Sequence, residues 1–284
     1  MLNEATKDSI GPVVAAAIAE DVGAGDLTAG LIDDDAVVGA QILARESLVV
    51  CGTAWVDEVF RQIDTTIIVD WYIGDGQRAE PDDVICKIVG AARAILSAER
   101  AALNFLQTLS GTATTTAVYV EAVAGTGAKV LDTRKTIPGL RLAQKYAVRC
   151  GGGENHRVGL FDAILIKENH VKTAGGIREA LQRAGNAGED VLVEIEVEDH
   201  DELLEALDAG ATRILLDNFS IDELRQAVTT NQAYGYLAAK LEASGNVTLE
   251  TIGDIAATGV DYISCGALTK NINAVDLSML FRID

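Results

Sequence analysis

From Lys129 onward the chain repeats one pattern: a short apolar run, most closed by a polar or charged residue, then a helical stretch. The runs are Val130-Leu131-Asp132, Ile164 to Lys167, Val191 to Glu196, Ile214 to Asp217, Leu237 to Glu242 and Tyr262 to Ser264. The last four begin about 23 residues apart. Helical spacing fills the gaps over Gly176 to Arg183, Asp199 to Ala209, Ile221 to Val228 and Leu249 to Thr258. Strand and helix alternating at this interval specify a parallel sheet of βα units. Six or seven units suit a barrel better than two nucleotide-binding halves, and no GxGxxG follows a strand. Chemistry in such a barrel gathers at the carboxyl ends of the strands. The polar residues that close the runs are therefore the first candidates.

The preceding residues read as mixed helix and strand. Pro12 to Glu20 is expected as a short helix with Pro at its start. Val37 to Val50 and Thr65 to Ile73 are β-branched and read as strands. A long helix begins near Ala91, with Leu96, Leu103, Leu106 and Leu109 at helical spacing. Gly111 is expected to interrupt it before a second run, Thr114 to Val123.

Charge narrows the possible partners. The chain has 43 acids against 23 bases, a net charge of −20, so nucleic acid and anionic membrane are unsuitable partners. One segment departs from this. Residues 129–172 hold nine bases (Lys129, Arg134, Lys135, Arg141, Lys145, Arg149, Arg157, Lys167, Lys172) and four acids, with His156 and His170 beside them. A solvated basic face paired with nearby acids is one reading. The other is a set of cations converging on a small, multiply charged anion. The N-terminus lacks a signal-peptide pattern. The four cysteines are scattered with no CxxC pair, which fits reduced, packed thiols in the cytoplasm rather than a zinc site or a disulfide framework.

Glu196 and Asp217 close neighbouring runs. They could hold Mg²⁺, accept hydrogen bonds from sugar hydroxyls, or pair with the lysines. Glu194 shares the face of Glu196 along a strand, so pattern does not choose between them. Ser244-Gly245-Asn246 and Gly266-Ala267 follow the last two strands. They read as a phosphate cradle of backbone N–H groups or as plain turns.

The segment from Leu131 to Arg141, L-D-T-R-K-T-I-P-G-L-R, closely resembles the signature of the quinolinate phosphoribosyltransferase family. The resemblance continues through Lys145 to Val148, Gly151-Gly152-Gly153, Asn155-His156-Arg157, Ile166 to His170, Glu194 to Val197, Leu216 to Phe219, Leu241 to Asn246 and Gly266 to Thr269. Upstream, Glu99 to Phe105 and Leu109 to Gly111 also look like the family, as does Glu20-Asp21 with Gly25-Asp26-Leu27-Thr28. It covers nearly the whole chain in order.

The resemblance implies an N-terminal α/β sandwich over residues 1–112, joined by the tail 273–284. An incomplete, seven-stranded α/β barrel follows over 113–272. It implies transfer of phosphoribosyl from 5-phosphoribosyl 1-pyrophosphate to quinolinate with decarboxylation, giving nicotinate mononucleotide, pyrophosphate and CO₂ in NAD synthesis. Quinolinate should meet Arg134, His156, Arg157 and Lys167, with Arg100 arriving from the partner of a homodimer or dimer-based hexamer. Lys135, Glu196, Asp217, Ser244, Gly245 and Gly266 should meet the phosphoribosyl substrate. Mg²⁺ should lie at Glu196 and Asp217.

Other classes fit parts of the pattern. A Schiff-base lyase would use Lys135 or Lys167 as its amine. A molybdenum-transport-associated relative would share the fold. A non-catalytic anion-binding protein would keep the cations without needing Glu196 and Asp217.

Overall fold

A computed structural model describes residues 2–188 and 191–282. Met1 and the last two residues of the tail lie outside this range. The chain divides into two compact units.

The first unit comprises residues up to Ala117, then 136–152, and the tail from Asn271. Its elements are α1 (Glu4–Val22), β1 (Val37–Ala44), β2 (Leu48–Val49), α2 (Thr53–Ile63), β3 (Ile68–Trp71), β4 (Arg78–Ala79), β5 (Val84–Ala91) and most of α3 (Ala92–Ala122). The stretch 129–150 supplies β6 (Lys129–Leu131), in the second unit, and α4 (Arg141–Cys150), in the first. An antiparallel sheet runs in the order β12-β1-β5-β3, where β12 (Leu277–Arg282) is the tail strand, and β2 pairs with β4. Trp55, Phe60, Ile42, Ile85, Ile88, Ile95, Leu106 and Leu109 form its core.

Three local expectations change here. The first helix starts at Glu4, capped by Asn3, whose Oδ1 accepts from the Thr6 N–H at 2.8 Å. Pro12 therefore lies inside α1, on an exposed position, while Thr6, Ile10 and Val14 bury one stripe at helical spacing. Burial of that stripe outweighs the hydrogen bond Pro12 cannot donate. The long Val37–Val50 run is two strands rather than one.

Gly111 does not interrupt α3, which is continuous to Ala122. A Cβ at this position would run into the Asn273 carbonyl and come within 3.1 Å of Ala274 Cα. Glycine is present because backbone passes close by, not because the helix ends. Gly111→Ala should therefore destabilise the protein by about 1–3 kcal/mol by overpacking, despite alanine's better helix propensity. A urea melt reads this, and a stabilised variant would refute it.

The second unit, residues 118–135 and 153–270, carries β7 (Ala163–Ile166), α5 (Glu168–Ala174), α6 (Ile177–Ala184), β8 (Leu192–Val197), α7 (His200–Asp208), β9 (Arg213–Asp217), α8 (Ile221–Ala233), β10 (Lys240–Ser244), α9 (Leu249–Ala256), β11 (Tyr262–Ser264) and α10 (Ala267–Lys270). Its sheet is parallel throughout, in the order β6-β11-β10-β9-β8-β7. A seventh, strand-like segment is reduced to one parallel bridge between Glu154 and Leu131. Among the described residues no ladder joins that segment to β7, so the barrel is open, as expected of an incomplete one. β10 begins later than the apolar pattern indicates, because Gly235–Leu237 forms a 3-10 turn. Asn231 fixes the entry by bonding both the N–H and the C=O of Ala239 at 2.8 Å.

Parallel strands bring their carboxyl ends to one rim. The turns that follow are short because helices are capped at once. Asp199 accepts from Glu202 N–H to start α7, and Ser220 with Glu223 forms a capping box for α8. Among the described residues no helix is long and apolar enough to cross a membrane.

Candidate active site

The rim of the second unit collects the residues that close the strands. Lys167 follows β7 and caps α5, Glu196 is the penultimate residue of β8, and Asp217 ends β9 beside Ser244 in the β9–β10 register. Lys167 Nζ forms an ion pair with a Glu196 carboxylate oxygen. Asp217 Oδ2 accepts from Asn218 Nδ2 at 2.8 Å. Lys167 is 47% exposed and already paired, unlike the desolvated amine that Schiff-base chemistry uses. Lys135 is exposed as well.

The motif Asp132 is a scaffold. Fully buried, it accepts from Asn155 Nδ2 at 2.6 Å and from the His156 N–H at 2.9 Å. It thereby fastens the Asn155-His156-Arg157 loop beside the Arg134-Lys135 loop. Arg157 is held in the field of Arg134; burial first, and then this like charge, lower its pKa. Lys135 lies across Gly266, where a Cβ would come 3.1 Å from Lys135 Cδ. Thr269 Oγ1 donates to the Lys135 carbonyl at 2.8 Å, holding the same loop.

The glycine loop after β10 is tightly built. Gly245 has φ of +105°, and a Cβ there would meet Asn218 Cγ at 2.8 Å. Asn218 and Asn246 are also left-handed, at φ of 57° and 49°. The Asn218 N–H donates to Ser244 O at 2.8 Å. Glycine is thus required for packing as well as for any anion contact.

Below the rim a buried polar network joins Glu194 and His156, both candidates from sequence, to Arg213 and Glu242, whose roles sequence reasoning missed. Glu194, one pleat deeper than Glu196, is 1% exposed against 12%. His156 Nε2 faces Glu194 Oε2 at 2.8 Å, and Arg157 N–H donates to His156 Nδ1 at 2.7 Å. Arg213 donates to Glu194 at 3.1 Å and to Glu242 at 2.6 Å, and its guanidinium lies 3.7 Å from the Tyr262 ring centroid. Both ring nitrogens of His156 are thus engaged within the protein. Burial opposes a charge on His156, but Glu194 and Glu242 outweigh it and raise its pKa. A second ring proton would have to displace the Arg157 N–H from Nδ1. Burial also opposes ionisation of Glu194, yet His156 and Arg213 prevail and lower its pKa.

Glu242 behaves differently. Its Oε1 is buried without a hydrogen-bond partner, 3.6 Å from His156 Nε2. Burial, reinforced by Glu194, pushes its pKa up from 4.5 to about 6. The stabilisation linked to the protonated form is full below pH 4.5 and is lost as pH rises through about 6. Glu242→Gln, which cannot ionise, should gain on the parent across that window by on the order of 2 kcal/mol. Thermal melts of both proteins across pH check it; a pH-independent difference refutes it. The signal in sequence was faint: Glu194 lies inside its apolar run, Arg213 just before one and Glu242 at the end of one, and only burial sets them apart from the rim residues.

The basic segment does not converge as a whole. Arg141, Lys145 and Arg149 lie on α4, in the first unit. Lys129 pairs with Glu154 at 2.7 Å and Lys172 pairs with Glu168, which is the solvated-face reading. Arg134, Lys135, Arg157 and Lys167 remain at the strand ends. Arg100 is exposed on α3, in the first unit.

Family models match both regions: "Quinolinate phosphoribosyl transferase, N-terminal domain" over residues 26–110 and the corresponding C-terminal domain over 112–280. A probable nicotinate-nucleotide pyrophosphorylase (carboxylating) of Bacillus subtilis is 42% identical, over 92% of this chain and 89% of that protein. Quinolinate phosphoribosyltransferase (decarboxylating) 1 of Nicotiana glauca is 40% identical, over 94% and 81%. The solved nicotinate-nucleotide pyrophosphorylase of Francisella tularensis superposes with a TM-score of 0.92 at 45% identity, covering 97% of each chain.

Proposed function

The chain belongs to the quinolinate phosphoribosyl transferase family, and on that premise we propose the reaction and the roles of its residues. It joins quinolinate to 5-phosphoribosyl 1-pyrophosphate, releasing nicotinate mononucleotide, pyrophosphate and CO₂ for NAD synthesis in the cytoplasm. One observation supports this most. In a protein of net charge −20, buried Asp132 fastens the loop of Arg157 beside the loop of Arg134, and burial and then the Arg134 charge lower the pKa of Arg157. Two adjacent carboxylates on a flat ring would neutralise that pair, through guanidinium forks that lysine cannot imitate.

Arg134, Arg157 and Lys167 hold the quinolinate carboxylates. His156 belongs to the same wall and orients Arg157 through its backbone N–H. Arg100 enters from the partner subunit of a homodimer or dimer-based hexamer. Lys135 with the loops of Ser244, Gly245 and Gly266 holds the phosphoribosyl group. The pyridine nitrogen attacks the ribose carbon as pyrophosphate leaves. Glu196 and Asp217 stabilise the positive character that develops there. The 2-carboxylate then leaves as CO₂, its electron pair is held next to the cationic ring nitrogen, and that carbon takes a proton. Glu196 and Asp217 are hard oxygen donors that suit Mg²⁺, which when bound offsets the charge of the pyrophosphate.

Purified protein with both substrates and Mg²⁺ should release CO₂ and form nicotinate mononucleotide; a folded sample without turnover would sink the assignment. The shared site has its own test. Arg100→Ala and Lys135→Ala proteins, each inactive, should regain activity when mixed and allowed to exchange subunits. No recovery despite exchange places Arg100 elsewhere.

A further inference from the structure

Two of the four cysteines are brought together within the first unit, although they lie far apart in sequence. Cys51 follows β2 and Cys150 ends α4. Their sulfurs and an Asp75 carboxylate oxygen lie within 4.8 Å of one another. The Ser110 hydroxyl holds the Cys51 backbone, accepting from its N–H at 2.9 Å and donating to its C=O at 3.2 Å. Asp75 is committed: Oδ1 accepts from the Gly52 and Thr53 N–H groups at 2.9 and 3.1 Å, and Oδ2 from the Tyr146 hydroxyl at 2.8 Å. That leaves the two sulfurs as the reactive atoms of the cluster.

The two thiols are not equivalent. Cys51 is fully buried and Cys150 half-buried. A hydrogen bond from Cys51 lowers the pKa of the Cys150 thiol, while burial raises that of Cys51 well above its ordinary value. Cys86 and Cys265 are buried and outside this cluster's three members, and burial shifts both up, Cys86 to about 12. A half-buried thiol whose pKa is lowered, beside a second, sealed thiol, is the arrangement of an attacking and a resolving cysteine.

We propose that Cys150 and Cys51 form a hydroperoxide-reactive pair that closes to an intramolecular disulfide. The Cys150 thiolate attacks a peroxide oxygen; the S–O bond forms, the O–O bond breaks, and hydroxide leaves as water after taking a proton. Cys51 sulfur then attacks the Cys150 sulfenic acid; the S–S bond forms, the S–O bond breaks, and the Cys51 proton leaves with the second water. Two thiols are oxidised and one peroxide is reduced to two waters. The link would tie the end of α4, from which the chain runs directly into Gly151 and on to His156 and Arg157, to the entry of α2.

Reduced full-length protein treated with one equivalent of hydrogen peroxide should yield a Cys51–Cys150 linked peptide pair by mass spectrometry. Dithiothreitol should release it, and Cys86 and Cys265 should stay unmodified. Cys51→Ala should stop at a sulfenic acid on Cys150 that dimedone traps, and Cys150→Ala should leave Cys51 unreactive. The proposal is overturned if the parent protein gives no linked pair, if Cys86 oxidises as fast as Cys150, or if the protein carries zinc on these thiols.

Discussion

Arg213→Met should cost about 3–5 kcal/mol of stability, the usual loss when one partner of a buried ion-pair network is removed. Arg213 lies between two carboxylates that are almost fully buried, Glu194 and Glu242, and stacks on Tyr262. Methionine keeps the aliphatic volume but removes the guanidinium that both acids share, and His156 is the ion-pair partner left to each. The loss should grow with rising pH, because Glu242 becomes more fully ionised above about 6. Arg213→Lys should rescue only part of it, since an ammonium cannot fork between two carboxylates and lie flat on the ring. Urea denaturation at several pH values measures all of this. A loss below about 1 kcal/mol would mean the network is worth no more than surface pairs.

The second large effect is catalytic. Asp217→Asn and Glu196→Gln should each lower kcat roughly 10²–10³-fold, the range for removing one preorganised electrostatic group, with melting temperatures close to the parent. Both side chains lie at the rim rather than beneath it, so the amides cost little fold stability. Asp217→Asn is the cleaner variant, because its carbonyl can still accept from Asn218 Nδ2. Glu196→Gln also releases Lys167, so a change in quinolinate KM should accompany it alone. Steady-state kinetics with saturating 5-phosphoribosyl 1-pyrophosphate separate the two. A kcat within a few-fold of the parent for both would remove the carboxylates from the chemistry.

Much of the fold was legible because periodicity and apolar runs are local. β7, β8 and β9 lie within a residue or two of where their apolar runs place them, and Asp217 ends its strand as read. Three misplacements share one cause: packing overrode a local signal. Gly111 reads as a break, yet it marks the passage of the Asn273 carbonyl. Pro12 reads as a start, yet buried Ile10 and Val14 carry α1 past it. The apolar run at Leu237 reads as a strand, yet Asn231 delays β10 to Lys240. α2 went unread although Trp55, Val56, Val59 and Phe60 are spaced as a buried helical stripe.

The sequence by itself determined the parallel βα unit, the carboxyl rim of the strands and the motif residues assembled on it. Those follow from residue order and from the geometry of strands. Only the tertiary structure decided between Glu194 and Glu196, which share one face. The pleat buries the first against Arg213 and His156 and leaves the second at the rim with Lys167. It also divided the basic segment, placing Arg141, Lys145 and Arg149 in the first unit, and it joined Cys51 to Cys150. Depth and proximity across the chain are set by packing, and the spacing of residues along the sequence does not encode either.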